Sequence, residues 1–276
     1  MAEPVVATKQ MIEDIFDGAA GLYDCAGPSI FRQFGARLVE LMAIQPGARV
    51  LDVATGKGAV LLPAARRAGA AGRVVGIDLS SAMVDEAGRA ARNAGLANFE
   101  TRKMDAEHLE FPDASFDVVT CAFSLFFFPA MDDALREMRR VLKPGGRIGV
   151  SMWGKGPFDP AWKFFAEQVR AYGVEVRNPQ RIAYAPADVQ ALLAAAGFID
   201  IETRSETTDA VYTSDEDWWK FQLTLAARAA IYRMDNATRA RFKEEYLSKL
   251  RPFLQPDGLH LPAPAIYAVA RHALSD

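Results

Sequence analysis

The sequence has little of what several large function classes require. Of its 276 residues only two are cysteines, Cys25 and Cys121, and only three are histidines, His108, His260 and His272. The cysteines have neither zinc-type spacing nor the pattern of a disulfide framework, and histidines so scattered make no metal set. No Ser-His-Asp or Cys-His arrangement can be argued from spacing. The formal charge is only −3 and the pI about 5.7, without a block of five like charges. Binding nucleic acid by neutralising phosphates calls for a basic stripe, and none is visible. The longest apolar stretch, residues 118–131, is broken by Thr120, Ser124 and Pro129 and is too short to span a bilayer. Residues 1–10 carry Glu3 and Lys9 and no apolar signal-peptide core. These gaps predict a cytoplasmic protein with a small-molecule partner, not nucleic acid or membrane; they leave the oligomeric state open. With 50% hydrophobic residues the chain can bury one large core, or one core plus a cap.

What is present is concentrated in residues 48–78, ARVLDVATGKGAVLLPAARRAGAAGRVVGID. An apolar run with Asp52 inside it meets the small-residue turn Ala54-Thr55-Gly56-Lys57-Gly58. A helix-like segment follows, then a second apolar run that ends on Asp78. This is the grammar of a βαβ unit that holds a nucleoside. The glycines admit a ligand close to the backbone, and an acid closing the second strand can accept both ribose hydroxyls. A P-loop needs a glycine where Leu51 stands and Ser or Thr where Gly58 stands. A dinucleotide site wants a third glycine where Leu61 stands, and Asp52 would repel a pyrophosphate. A cationic nucleoside reverses that sign. S-adenosylmethionine carries a sulfonium, an ammonium and an adenosine but no phosphate, so acids on both strands make sense.

At these residues the chain resembles the class I S-adenosylmethionine-dependent methyltransferases. Within them it is most similar to the small-molecule branch that includes the ubiquinone/menaquinone-biosynthesis enzymes. The segment from Asp52 to Gly58 resembles that family's cofactor loop, with Ala54 where many members have glycine, a difference of one methyl group. Asp78 matches the ribose acid, and Asp105-Ala106 in KMDAEHLEFPD the adenine-edge motif. Phe116-Asp117-Val118-Val119 matches the fourth strand, and Arg140-Val141-Leu142-Lys143-Pro144-Gly145-Gly146 the loop into the fifth. Tyr23-Asp24 resembles the family's N-terminal tyrosine–aspartate pair. The resemblance covers roughly residues 11–153 and thins beyond. It implies a cofactor set of Tyr23, Asp52, Ala54, Thr55, Gly56, Gly58, Asp78, Leu79, Met83, Met104, Asp105, Ala106, Cys121 and Phe123.

The alternation of periods predicts an α/β fold: a Rossmann-like, seven-stranded, mostly parallel sheet with helices on both faces and a helical cap. Residues 1–28 read as an N-terminal arm or lid, with a helix over 8–16. Residues 29–153 read as the cofactor-binding core, with strands at 49–54, 73–78, 99–104, 116–123 and 146–153. Residues 154–276 complete the sheet and carry cap insertions at about 154–185 and 215–252. A long strand is predicted over 198–212, helices over 215–233 and 235–251, and a last strand over 265–271. In the family's fold that last strand is antiparallel and slots between its neighbours.

Phe123, Phe127 and Trp153 fall at the carboxyl ends of strands, where open α/β sheets bind ligands, and are the candidate acceptor wall. Tyr23 is the polar candidate; it could bond the cofactor's carboxylate or touch the acceptor, and so is the candidate catalytic residue. Packing against the cap is the bland alternative for Phe123, Phe127 and Trp153, and a structural role is the alternative for Tyr23. After the fourth strand the chain reads Ala122-Phe123-Ser124-Leu125, not the motif of exocyclic-amine methylation. Cys121 follows Thr120 rather than proline, so a cytosine-carbon nucleophile is excluded, and the double-glutamate loop of arginine methylation is missing. The remaining expectation is methyl transfer to a small, partly apolar acceptor held between the sheet and residues 154–260. O-, N- and C-methylation stay open. The alternatives are a non-methylating protein on the same fold, such as a cyclase, or a dinucleotide-dependent reductase.

Overall fold

The central strands are continuous apolar runs because helices cover them on both faces. β1 (Arg49–Val53), β2 (Arg73–Asp78), β3 (Phe99–Lys103), β4 (Phe116–Ala122) and β5 (Leu142–Trp153) pair in parallel. Val50, Leu51, Val53, Val74 and Ile77 are all fully buried. The helices between them are α3 (Leu61–Ala68), α4 (Ser81–Asn93) and α5 (Met131–Val141), preceded by α1 (Lys9–Ala19) and α2 (Ile30–Met42). This computed structural model describes residues 8–174, 183–225 and 227–274. The expected arm at 1–7 and part of the first cap insertion, at 175–182, therefore lie outside the described residues.

The C-terminal half adds α6 (Ala161–Ala171), α7 (Pro186–Ala195), β6 (Phe198–Tyr212), α8 (Asp215–Gln222), α9 (Arg228–Ile231), α10 (Asn236–Leu250), β7 (Leu254–Gln255) and β8 (Gly258–His272). The sheet runs β3-β2-β1-β4-β5-β8-β6, with β7 pairing only to β8. β8 is antiparallel to both β5 and β6 and slots between them, as expected. Among the described residues the sheet has eight strands rather than seven, and β7, a two-residue hairpin arm, makes the difference.

Three boundaries differ from the sequence reading. β8 begins at Gly258 although Pro262 and Pro264 follow, because β5 flanks it only from Ala265 onward. A proline costs no ladder bond on an open edge. The prolines' carbonyls instead accept from Phe158 and Gly154 in the loop after β5. The helix expected over 215–233 breaks after Gln222, where the Thr224 hydroxyl bonds back to the Phe221 carbonyl and competes with the helix ladder. The glycine turn expected before β5 is instead a bulge within it. Phe116 pairs with Leu142 and Val118 with Arg147, so Lys143, Pro144, Gly145 and Gly146 are looped out of register.

Candidate functional site

The strand order reverses between β1 and β4, and open α/β sheets bind ligands at the carboxyl ends beside such a switch. A cavity opens there, a concave site of the kind in which small-molecule ligands are commonly bound. The ends of four strands line it: Ala54 and Gly56 after β1, Asp78 and Leu79 at β2, Met104, Asp105 and Ala106 after β3, and Phe123 after β4. Tyr23, Met83 and Phe127 complete the expected residues on its wall.

The turn after β1 is fixed from beneath. The Asp52 carboxylate, almost fully buried, accepts from the hydroxyls of Thr55 (2.6 Å) and Thr120 (2.9 Å). Burial pushes its pKa up to about 6, although these hydrogen bonds and one from the Leu61 backbone pull it down. Asp52 and Thr55 therefore shape the loop and do not reach the cavity. Gly56, at φ +52°, has open space where a side chain would stand. Gly58, at φ +85°, would drive a Cβ to within 2.4 Å of Leu62, so it packs the loop on α3. Ala54 sits at φ +53°. Its extra methyl group therefore carries strain, because a left-handed backbone costs an alanine about 1–2 kcal/mol.

Asp78 ends β2 and accepts backbone N–H groups from Gly56 (2.9 Å, Oδ2) and Ser80 (3.0 Å, Oδ1). Each oxygen keeps a lone pair for an outside donor. Burial pushes its pKa up to about 6, against the pull of those two N–H groups. Ser80, not Asp78, caps α4 by accepting from Met83 N at 3.1 Å, so the acid is free to face the cavity. On β3's end, Asp105 Oδ1 accepts from Glu107 N (2.9 Å), and its Oδ2 takes the Lys9 ammonium at 2.6 Å. Lys9 also pairs with Glu107.

Phe123 adopts φ +52°, a conformation foreign to bulky residues, and such strain collects at functional sites. Its ring lies 4.5 Å from Trp153, which packs among Phe31, Phe34 and Phe158 behind Phe123 and does not line the cavity. Cys121 is buried under the floor, its Sγ 2.9 Å from the Ser124 hydroxyl, and burial pushes the thiol up to about 12. That thiol stays protonated and is no nucleophile. Tyr23 stacks on Phe31 at 5.3 Å, and its hydroxyl is raised well above the usual range by burial first, then by the charges of Asp24 and Asp78.

The cavity does not lie against residues 154–260. Among the described residues its walls come from positions 9–129. The cap helices bury Trp218, Phe221, Phe242 and Tyr246 among themselves and against Phe158 and Phe165. The sequence reading missed Lys9, Ile12 and Phe16, which line the cavity from α1, together with Glu107, Ser124, Phe128 and Pro129. The three from α1 stand at i, i+3 and i+7, one helical face, and that spacing was the available signal.

The donor set suits a cationic nucleoside. Three carboxylates, of Asp78, Asp105 and Glu107, line the cavity around the Gly56 turn, and Lys9, already held by two acids, is the only Lys or Arg on the described wall. Nothing there complements a pyrophosphate. Comparison with known proteins agrees. A methyltransferase-domain family profile matches residues 50–146. The chain is 38% identical over 188 residues to a nocamycin O-methyltransferase of Saccharothrix syringae, covering 67% of this chain and 65% of that protein. It is 39% identical over 156 residues to the aklanonic acid methyltransferase DauC of Streptomyces sp. strain C5, covering 55% of this chain and 71% of that one. Ubiquinone/menaquinone biosynthesis C-methyltransferases are similar at 34–37% identity. In fold, the crystal structure of the [4+2]-cyclase SpnF superposes with a TM-score of 0.61 at 23% identity, over 98% of both chains.

Proposed function

The chain belongs to the S-adenosylmethionine-dependent methyltransferases, and on that premise we propose that it transfers a methyl group from S-adenosylmethionine to a small, partly apolar organic acceptor. One observation carries the reading: Asp78 and Asp105 end adjacent strands around an open glycine turn, with no cation left over for a phosphate. In this assignment Asp78 accepts the ribose hydroxyls with the lone pairs that Gly56 and Ser80 leave free. Asp105 and Ala106 take the adenine edge, and Leu79, Met83 and Met104 its faces. Tyr23, Ala54, Gly56 and Phe123 surround the amino-acid end, while Asp52, Thr55, Gly58 and Cys121 hold these groups from behind.

When bound, S-adenosylmethionine supplies a methyl group already activated on a sulfonium. The protein's share is then alignment and exclusion of water. Phe16 packs edge-on against Phe127 at 5.2 Å, and both rings give the cavity apolar wall that would exclude water from a bound methyl donor. Asp52 and Asp78 supply a negative field that favours a cationic ligand. Tyr23, kept protonated by burial, can donate a hydrogen bond but cannot serve as a base at neutral pH. Relatives named for nocamycin and aklanonic acid support an organic acceptor of modest size.

Incubation with S-adenosylmethionine and a panel of small phenols and organic acids should give methylated acceptor and S-adenosylhomocysteine in equal amounts. Tight cofactor binding with no demethylated product, while an acceptor is rearranged, would instead establish a non-methylating activity. Phe127→Ala should raise the acceptor's KM or lower kcat and leave the Kd for S-adenosylhomocysteine unchanged. Loss of cofactor binding or of the fold would assign Phe127 to the core.

A further inference from the structure

Lys57 stands between Gly56 and Gly58 in the turn after β1, but its side chain does not line the cavity. It is only 17% exposed, and its ammonium donates to Cys25 Sγ at 3.2 Å. Glu86 on α4 lies 4.0 Å from the same nitrogen. Cys25 comes two residues after Tyr23, and its thiol turns back on the Gly21 and Tyr23 carbonyls (3.6 and 3.5 Å). Between the two, Asp24 takes φ +53° and is buried, with Arg32 Nε 3.7 Å from its carboxylate. Burial pushes the Asp24 pKa up to about 6, and the charges of Arg32 and Lys57 pull it back. Lys57 thus acts on both residues that follow Tyr23, and Tyr23 itself is on the cavity wall. Flanked by two glycines, its side chain is the one handle by which that part of the turn can hold a neighbouring segment.

We propose that Lys57 is a positioning residue, tethering the 23–25 segment to the cofactor turn and so setting where the Tyr23 hydroxyl stands beside the cofactor's amino-acid end. The inference rests on the cofactor reading above and adds to it the residue that keeps two walls of the site in register. One wall is the turn itself, whose Gly56 N–H is bound to Asp78. The other is Tyr23, steadied on its far side by the Phe31 ring. A hydrogen bond weakens steeply once donor and acceptor lose alignment. Letting the Tyr23 hydroxyl drift should therefore cost most of one such bond, about threefold to tenfold in Kd.

The test is a double-mutant cycle on the Kd for S-adenosylhomocysteine, run on the full chain with thermal unfolding as the control for folding. Lys57→Met and Tyr23→Phe should each weaken binding about threefold to tenfold. Together they should weaken it no more than the larger single change, because Lys57 acts through the Tyr23 hydroxyl. With Asp105→Asn, which acts at the adenine end, the Lys57→Met effect should instead multiply. Lys57→Arg, which keeps the charge, should recover most of the affinity. If Lys57→Met does not fold, Cys25→Ala severs the tether from its other end and takes its place in the cycle. Effects of Lys57→Met and Tyr23→Phe that multiply in full, or a Lys57→Met chain that binds as the parent does, would overturn the tether. A parent chain that does not bind the probe, or a Tyr23→Phe chain with unaltered Kd, overturns the cofactor reading on which the tether rests, a result distinct from multiplying effects.

Discussion

Replacing Asp78 by Asn keeps the shape of the side chain and removes its charge. In the parent, the two oxygens accept from Gly56 and Ser80 and retain one lone pair each toward the cavity. The amide keeps one acceptor and turns the other into a donor, which can no longer receive a ribose hydroxyl. Losing a hydrogen bond to a charged group costs about 1.5–3 kcal/mol, which is roughly tenfold to 150-fold in Kd. The fold should suffer less. Burial already disfavours the charged carboxylate, pushing its pKa up to about 6, so relief of that burden offsets part of the lost backbone bonding. Calorimetry with S-adenosylhomocysteine, paired with thermal unfolding without ligand, separates the two effects. A fall in affinity with a Tm shift of a few degrees at most is expected. An unchanged Kd would refute the ribose assignment, and a collapsed Tm would make Asp78 a structural acid.

Asp52 and Asp78 are both pushed up to about 6, and a bound cation favours their charged forms. Cofactor binding should therefore expel protons below pH 6, with affinity falling roughly tenfold per titrating acid by pH 5; calorimetry in two buffers of different ionisation enthalpy checks this, and a pH-independent affinity would contradict it. Without ligand the stability effect runs the other way. The folded state holds these protons more tightly than the unfolded chain, whose carboxylates titrate near 3.8, so their contribution is full below that value and is lost as pH rises through 6. Ala54→Gly removes left-handed strain at the cost of unfolded-state entropy and should raise stability by about 0.5–1 kcal/mol; a destabilisation of similar size in denaturant titration would show that the methyl group packs favourably.

The floor of the site was legible because its chemistry is local. Asp78 and the Gly56 turn each follow an apolar run directly, so naming the strand also names what stands at its end, whereas Asp105 follows the polar edge strand Phe99–Lys103 and was legible only through its resemblance to the adenine-edge motif. Distinguishing the acid that faces the cavity from the acid that holds the turn was harder. Asp52 and Asp78 occupy similar places in the sequence, and only the hydroxyls of Thr55 and Thr120, which come together through β1–β4 pairing, commit Asp52 to the loop. Trp153 was misplaced for a related reason. It does end a strand, but Phe123 stands between it and the cavity. The ceiling was legible as an arm or lid but not residue by residue, because which side chains face the cavity depends on where α1 settles, and residues 9–16 carry no motif beyond a helical face. The long β8 was underestimated because prolines normally forbid a central strand, and whether that strand has one neighbour or two cannot be read from its own residues.

The place of β8 bears on how the chain acquires its shape. It comes last of the eight strands in sequence, yet it sits between β5 and β6. Until it is made, β5 presents an unpaired edge and β6 has no partner in the sheet. About 120 residues separate the end of β5 from the end of β8, and at ~5–20 residues per second their synthesis takes on the order of ten seconds. During that interval the cavity, whose walls among the described residues come from positions 9–129, can already assemble, while the outer flank of the sheet remains a sticky ribbon. A ligand that bound the nascent chamber would then act as a folding aid well before the rest of the sheet was closed.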